Sequence, residues 1–206
     1  MKSPYKILLI FYLLLGNYCH AQNKLTAKEI EGIKKQSLNI VFTFDRYISH
    51  IATSTAAGAT NVDLLIYRAM DLFIDSTAIV EVSNINRRTI DRYSIRRYLL
   101  HVIANYKTHY AVVEFEAIPY KKVDLKEIKE NGVVTGYKAT VHYRQTFKAK
   151  KGLPLIVEGT PEKTDYDYSD ETEKEATVII KKVVDENKQT IWIIKLGDIK
   201  VTSTTN

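Results

Sequence analysis

The first half of the chain carries its apolar residues at helical spacing. Between residues 26 and 52 they recur every three or four positions, which is the pattern of an amphipathic helix with one buried stripe. The stripe consists of Ile30, Ile33, Ser37, Leu38, Val41, Phe44, Ile48 and Ile51. Thr26 and Glu29 form a capping box at its start. The same spacing predicts two further helices, at about 62–74 and 94–105.

From residue 110 the period of the apolar positions changes from 3.6 to 2, which predicts strands. The clearest strand is 137–150, in which apolar and polar residues alternate and Gln145 alone breaks the apolar set. Strict alternation gives one buried face and one wet face, and it favours an antiparallel sheet over a parallel one. The other predicted strands are 77–82, 110–118, 176–184 and 190–196.

Helices followed by long antiparallel strands are typical of an α+β domain. We therefore expect one domain over residues 22–206, in which the N-terminal helices pack within a strongly curved antiparallel sheet. Two loops are predicted between these elements. One is a stretch of small residues at 53–60, and the other is an acidic stretch at 158–175 with eight acidic and two basic residues.

Five segments carry a resemblance to a known superfamily. They are the helix end 70–73 (MDLF), the strand 77–82 (TAIVEV), the helix segment 98–100 (YLL), the long strand 136–147 (GYKATVHYRQTF) and the closing segment 192–199 (WIIKLGDI). In order and kind they resemble the nuclear-transport-factor-2-like (NTF2-like) superfamily, which includes ketosteroid isomerases, SnoaL-type cyclases and non-catalytic binding modules. The resemblance covers about residues 26–201 and is greatest to secreted bacterial members. It implies a cone-like fold and a homodimer through the outer sheet face, but no particular activity.

The amino terminus has the three parts of a secretory signal. Within residues 1–21, two lysines precede the apolar run 7–15, and Cys19 and Ala21 supply small residues at −3 and −1 of a cleavage site. The run is shorter than the roughly 20 residues of a membrane-spanning helix. We predict cleavage after Ala21 and a periplasmic or secreted location. The alternative is a lipoprotein acylated at Cys19.

Composition excludes several classes of function. Cleavage would remove Lys2 and Lys6 and lower the formal charge from +6 to +4, which together with export speaks against a nucleic-acid partner. It would also remove the only cysteine, and with it any cysteine nucleophile. The four remaining histidines lack metal-binding spacing, and the acidic stretch departs from a calcium loop at Asp170 and Ala176. We predict no metal and no cofactor.

The resemblance to isomerases singles out three inward positions. Such an enzyme needs a carboxylate base in an apolar cone, where desolvation raises its pKa, and a neutral donor for the enolate oxygen. Asp45, at the edge of the first helical stripe, is the candidate base, and Tyr143 and Gln145 are the candidate donors. The alternative is that Asp45 is solvated and paired with Arg46 or a neighbouring lysine, and that Tyr143 is a core residue.

The opposite face of the long strand is basic, and its candidate binding residues are Lys138, His142, Arg144 and Lys148. Such a face suits an acidic protein or an anionic glycan. Alternatively, it pairs with the acidic stretch or only keeps one face of the sheet wet.

These patterns together predict an exported, non-catalytic module of the bacterial envelope that binds a small ligand or an acidic protein. The alternative is a small isomerase or cyclase with a carboxylate base inside the cone. We expect no nucleic-acid partner, and membrane contact only through the leader before its cleavage.

Overall fold

The computed structural model describes residues 25–56, 61–84, 89–108, 110–114, 123–150, 168–184, 186–188 and 190–205. The predicted leader, its cleavage site and Cys19 lie outside these residues. The described elements are α1 (Ala27–Ala56), α2 (Val62–Asp71), β1 (Ile79–Asn84), β2 (Thr89–Ser94), α3 (Ile95–Thr108), β3 (Tyr110–Glu114), β4 (Asp124–Glu130), β5 (Val133–Lys150), β6 (Tyr168–Val184) and β7 (Thr190–Thr205).

The three predicted helices are confirmed, with small shifts at their ends. The capping box of α1 forms as expected: the Thr26 amide and hydroxyl donate to Glu29 Oε2 at 2.7 and 2.8 Å, and the Glu29 amide donates back to Thr26 Oγ1 at 3.3 Å. α1 continues to Ala56, into the loop predicted at 53–60. The rest of that loop, 57–60, lies outside the described residues.

The strands form one open sheet in the order β2-β1-β7-β6-β5-β3, and β4 pairs with the same edge of β5 as β3. The α+β class and the antiparallel strands β5, β6 and β7 are confirmed. The sheet is mixed, however, because β1 pairs with β7 in parallel through Val80 and Ile199. A two-residue hairpin would force two strands to be antiparallel. β1 and β7 are instead separated by a long stretch of the chain, so they can pair in parallel.

The acidic loop predicted at 158–175 is wrong for its last eight residues. β6 begins at Tyr168, so 168–175 is a strand that pairs with β5. Two of its acidic residues, Glu173 and Glu175, lie directly opposite Arg144 and His142 of β5, and such opposite-charge pairs stabilise a sheet. Residues 158–167 lie outside the described part of the chain.

Two edge strands, β2 and β4, were not predicted. Both are short and exposed, and their hydropathy shows no regular alternation. β4 is joined to β5 by Asn131 and Gly132, whose φ values of 51° and 80° fit a two-residue hairpin turn. The Asn-Gly pair is itself the signal from which this hairpin could have been found. β3 is confirmed at Tyr110–Glu114, and the rest of the strand predicted at 110–118 lies outside the described residues.

The helices cover one face of the sheet, called here the inner face. α1 packs against β3, β5, β6 and β7, and α2 and α3 pack against α1. The predicted alternation of β5 is confirmed from residue 137 to residue 145, where every second side chain is buried. The buried inner residues of β5 and β6 include Tyr137, Ala139, Val141, Tyr143, Ala176, Val178 and Ile180.

Gly136 is required where β5 meets β6. A β-carbon at this position would clash with the backbone carbonyl of Ile180. We expect Gly136→Ala to lower the free energy of unfolding by about 1–3 kcal/mol, as overpacking does. The matched control is Gly32→Ala on the open side of α1, where nothing lies within 4 Å. It should raise the free energy of unfolding by about 1 kcal/mol through helix propensity. Urea unfolding measures both, and equal effects would contradict the packing.

Candidate functional site

The structure brings the three inward candidates into the interior. Asp45 lies on the buried side of α1 with 3% of its surface exposed, and Tyr143 and Gln145 on β5 are 2% and 0% exposed. The β5–β6 register places Lys174 directly opposite Tyr143, and Lys174 is also buried at 2% exposure. We call Asp45, Tyr143, Gln145 and Lys174 the interior polar cluster.

Burial dominates the electrostatics of this cluster. Desolvation raises the pKa of Asp45 to about 8, against the opposing pull of the Lys174 charge. Burial also raises the pKa of Tyr143 well above its ordinary value, and the negative charge of Asp45 adds to this shift. The Lys174 ammonium lies 5.9 Å from the centre of the Tyr98 ring, within cation–π range. The cluster therefore holds a carboxyl group that stays largely protonated at neutral pH.

The solvated, Arg46-paired state considered for Asp45 is wrong. Arg46 is exposed whereas Asp45 is buried, and the cation that acts on its carboxyl is Lys174. Among the described residues, Asp45 Oδ1 and both amide atoms of Gln145 have no hydrogen-bond partner. Buried polar atoms are normally bonded, and each exception costs about 1–3 kcal/mol. The cluster therefore has a stability cost, and residues with strongly shifted pKa values, such as Asp45, are enriched at functional sites.

Sequence reasoning missed Lys174 because it placed this residue in the acidic loop. The signal was nonetheless present. When the alternation of 176–184 is extended backwards, Lys174 and Thr172 fall on the inner face with Ala176, and both are buried.

The basic face of β5 points away from the helices, as predicted. Arg144 forms ion pairs with Glu171 at 2.8 Å and Glu173 at 3.1 Å, and His142 Nδ1 lies 3.4 Å from Glu175. The alternative in which this face pairs with the acidic stretch is therefore confirmed for His142 and Arg144.

The remaining two binding candidates differ from these. Lys138 is exposed and lies opposite Lys126 rather than an acid. Lys148 lies in β5, but its side chain is outside the described part of the structure. A binding role for either residue stays a prediction.

A cleft of about 500 Å³ lies between the N-terminal half of α1 and the strands β4 and β5. It is lined by Leu25, Ile30, Lys34, Val123, Asp124, Leu125, Glu127 and Tyr137. No member of the interior polar cluster lines it. The Tyr137 ring packs against Trp192, with ring centroids 5.7 Å apart. Trp192 is the only tryptophan of the chain, and it therefore reports on this cleft.

Aromatic residues fill the interior next to the cluster. Phe44 packs edge-on against Phe73 with ring centroids 4.9 Å apart, and it lies 6.3 Å from Tyr98. A second cleft, of about 280 Å³, lies on the outward side of α1 and is lined by Thr43, Arg46, Tyr47 and His50. Neither cleft includes Asp45, Tyr143 or Gln145 in its lining.

Within the described residues, no three histidine, cysteine or acidic side chains converge as metal ligands. None of the described helices combines the length and apolar character of a membrane span. Comparisons of the chain with protein-family models, with curated proteins and with solved structures find no match.

The raised pKa of Asp45 makes stability depend on pH. Between the ordinary value of 3.8 and the folded value of about 8, the folded state holds a proton that the unfolded state has lost. The Asp45 contribution therefore favours folding most below the ordinary pKa, declines as the pH rises and levels off above about 8. We expect Asp45→Asn to remove a slope of up to about 1.4 kcal/mol per pH unit.

The measurement is urea unfolding at several pH values across this window. Asp63→Asn, at an exposed position of α2, is the matched control and should keep the slope of the unmodified protein. A variant Asp45→Asn with that same slope would contradict the buried, protonated carboxyl.

Proposed function

We propose that this chain is an exported, non-catalytic binding module and that its ligand occupies the cleft between α1 and the strands β4 and β5. The observation that carries the proposal is the cleft itself. Its volume of about 500 Å³ falls within the roughly 300–1,000 Å³ of small-molecule sites.

The lining indicates the chemistry of the ligand. Leu25, Ile30, Val123 and Leu125 supply apolar contact, and Tyr137 supplies an aromatic ring. The charged groups of the lining are Lys34, Asp124 and Glu127, and Glu127 is held by Lys129 at 2.9 Å. Pockets of this kind bury an apolar body and use a few polar groups to orient it. The ligand we propose is a small molecule with an apolar part and a polar or charged part.

The resemblance to NTF2-like domains supports the same proposal. The packing of helices on one face of the sheet is compatible with the cone-like fold of that superfamily. We propose that this chain has that fold. The superfamily includes binding modules without catalytic activity, and the predicted leader supports export. The resemblance also implies dimerisation through the outer sheet face, which is an alternative to the membrane docking proposed for that face.

A second candidate is the isomerase or cyclase with Asp45 as its base. The pKa of about 8 at Asp45 favours it, since a general base works best with a pKa near the operating pH. The Tyr143 hydroxyl nearby would be the donor. The position of the cluster favours the binding module instead, because a base must reach its substrate and neither described cleft is lined by Asp45.

Leu125→Gln tests the cleft. We expect this variant to bind the neutral apolar dye Nile red about tenfold more weakly, because a polar group replaces the apolar contact of a leucine worth roughly 1.5 kcal/mol. Binding is followed by dye fluorescence and by quenching of Trp192. Leu64→Gln on α2, at a residue 51% exposed, is the control and should bind like the unmodified protein. Equal weakening in both variants would contradict the site.

Native mass spectrometry separates the two candidate functions. The chain is purified from its own envelope, and its bound small molecule is compared before and after prolonged incubation. A binding module returns the molecule unchanged, and Leu125→Gln loses it while Asp45→Asn retains it. An enzyme converts the molecule, and Asp45→Asn stops the conversion. The latter result would overturn the non-catalytic proposal.

A further inference from the structure

The outer face of the sheet carries an ordered patch of lysines and aliphatic residues near its hairpin ends. Residues paired across antiparallel strands share a face, so the register of four strands defines the patch. One row across β4, β5, β6 and β7 is Lys126, Lys138, Ile179 and Lys195, the next is Ile128, Gly136, Lys181 and Ile193, and the last is Val183 and Ile191. We call these ten positions the lysine–isoleucine face.

The charge on this face is all of one sign. Lys126 lies directly opposite Lys138, an arrangement that destabilises a sheet. Lys181 is opposite Gly136 on one side and Ile193 on the other. Lys195 is neutralised by Asp71 at 3.2 Å, whereas none of the positions paired with the other three lysines is acidic. The exposed charges of Lys126, Lys138 and Lys181 are therefore available to bind an anionic partner.

The apolar side chains on the same face are unusually exposed. Ile191 and Ile193 are 42% and 37% exposed, and both lie next to Lys181 or Val183 in the ladder. Val184 and Val133, at the tips of the β6–β7 and β4–β5 hairpins and outside the ten positions, are 67% and 57% exposed. The hairpins also carry Lys129, Glu130, Lys182, Glu186 and Lys188, so the tips are of mixed charge and the net positive charge belongs to the face.

We propose that the lysine–isoleucine face docks on the surface of an anionic phospholipid bilayer. Lysines attract the anionic headgroups, and aliphatic side chains between them enter the interfacial region of the membrane. A soluble polyanion would match the lysines but leave Ile191 and Ile193 exposed. A second copy of the chain is matched less well, because the acidic residues of β6 on the outer side of the sheet, Glu171, Glu173 and Glu175, already pair with Arg144 and His142.

This docking is independent of the ligand in the cleft, since it uses the opposite face of β4 and β5. It would hold the exported protein at a membrane without a spanning helix.

Co-sedimentation with vesicles tests the proposal. The full mature chain should bind vesicles that contain phosphatidylglycerol and phosphatidylcholine, and it should not bind phosphatidylcholine alone. Lys138→Gln with Lys181→Gln should weaken binding roughly 25-fold, or about fivefold for each lysine. Lys28→Gln with Lys35→Gln on the exposed side of α1 makes the same change in net charge and should leave binding within about twofold, since attraction to the membrane falls off within a Debye length.

The apolar half of the face is tested separately. Ile191→Ser with Ile193→Ser should weaken vesicle binding roughly tenfold, and Ile90→Ser on β2, at a residue 52% exposed, should not. If the isoleucine variant still binds vesicles, and if the protein binds soluble polyphosphate as tightly as vesicles, the ligand of this face is a free polyanion and the membrane proposal is wrong. If the unmodified protein sediments as a dimer and the lysine variant as a monomer, this face binds a second copy of the chain and the membrane proposal is wrong. Unchanged urea midpoints show that each variant is folded.

Discussion

The antiparallel ladder between β5 and β6 is the constraint on which both faces of this protein depend. It runs from Gly136 opposite Lys181 to Ala149 opposite Tyr168. Since the side-chain period of a strand is two, a slip of one residue would carry the inner set to solvent and the outer set under the helices. The register is specified from both sides. Apolar burial under α1 fixes the inner face, and the ion pairs of Arg144 with Glu171 and Glu173 fix the outer face.

The same ladder creates the costly part of the core. It places Lys174 and Tyr143 side by side on the buried face, where the stripe of α1 presents Asp45. A carboxyl group buried beside a lysine contributes little to stability, because the cost of desolvation offsets the attraction that the lysine charge provides. The pKa of about 8 at Asp45 expresses this balance, since burial outweighs the nearby lysine. The fold therefore bears the desolvation cost of these polar side chains, a cost that apolar side chains of the same volume would avoid.

Neighbouring residues of one strand serve opposite surfaces of the molecule. Tyr137 lines the cleft and packs on Trp192, and Lys138 points out from the other face. A ligand under α1 and a membrane against the outer face would thus not compete for space. They are nonetheless mechanically close, because β4 and β5 belong to both surfaces.

Periodicity alone determined much of the secondary structure. The stripe of α1, the capping box at Thr26 and the alternation of β5 all depend on neighbours within the chain, so they are readable from its order of residues. The helical spacing placed Asp45 at the edge of the stripe of α1, and the alternation of β5 placed Tyr143 and Gln145 on its inward face. Only the tertiary structure decided that β1 joins β7 in parallel, that 168–175 is a strand, and that Lys174 is the cation beside Asp45. Each of these features depends on residues far apart in the chain. A segment whose own composition indicates a loop can become a strand when it pairs with another strand.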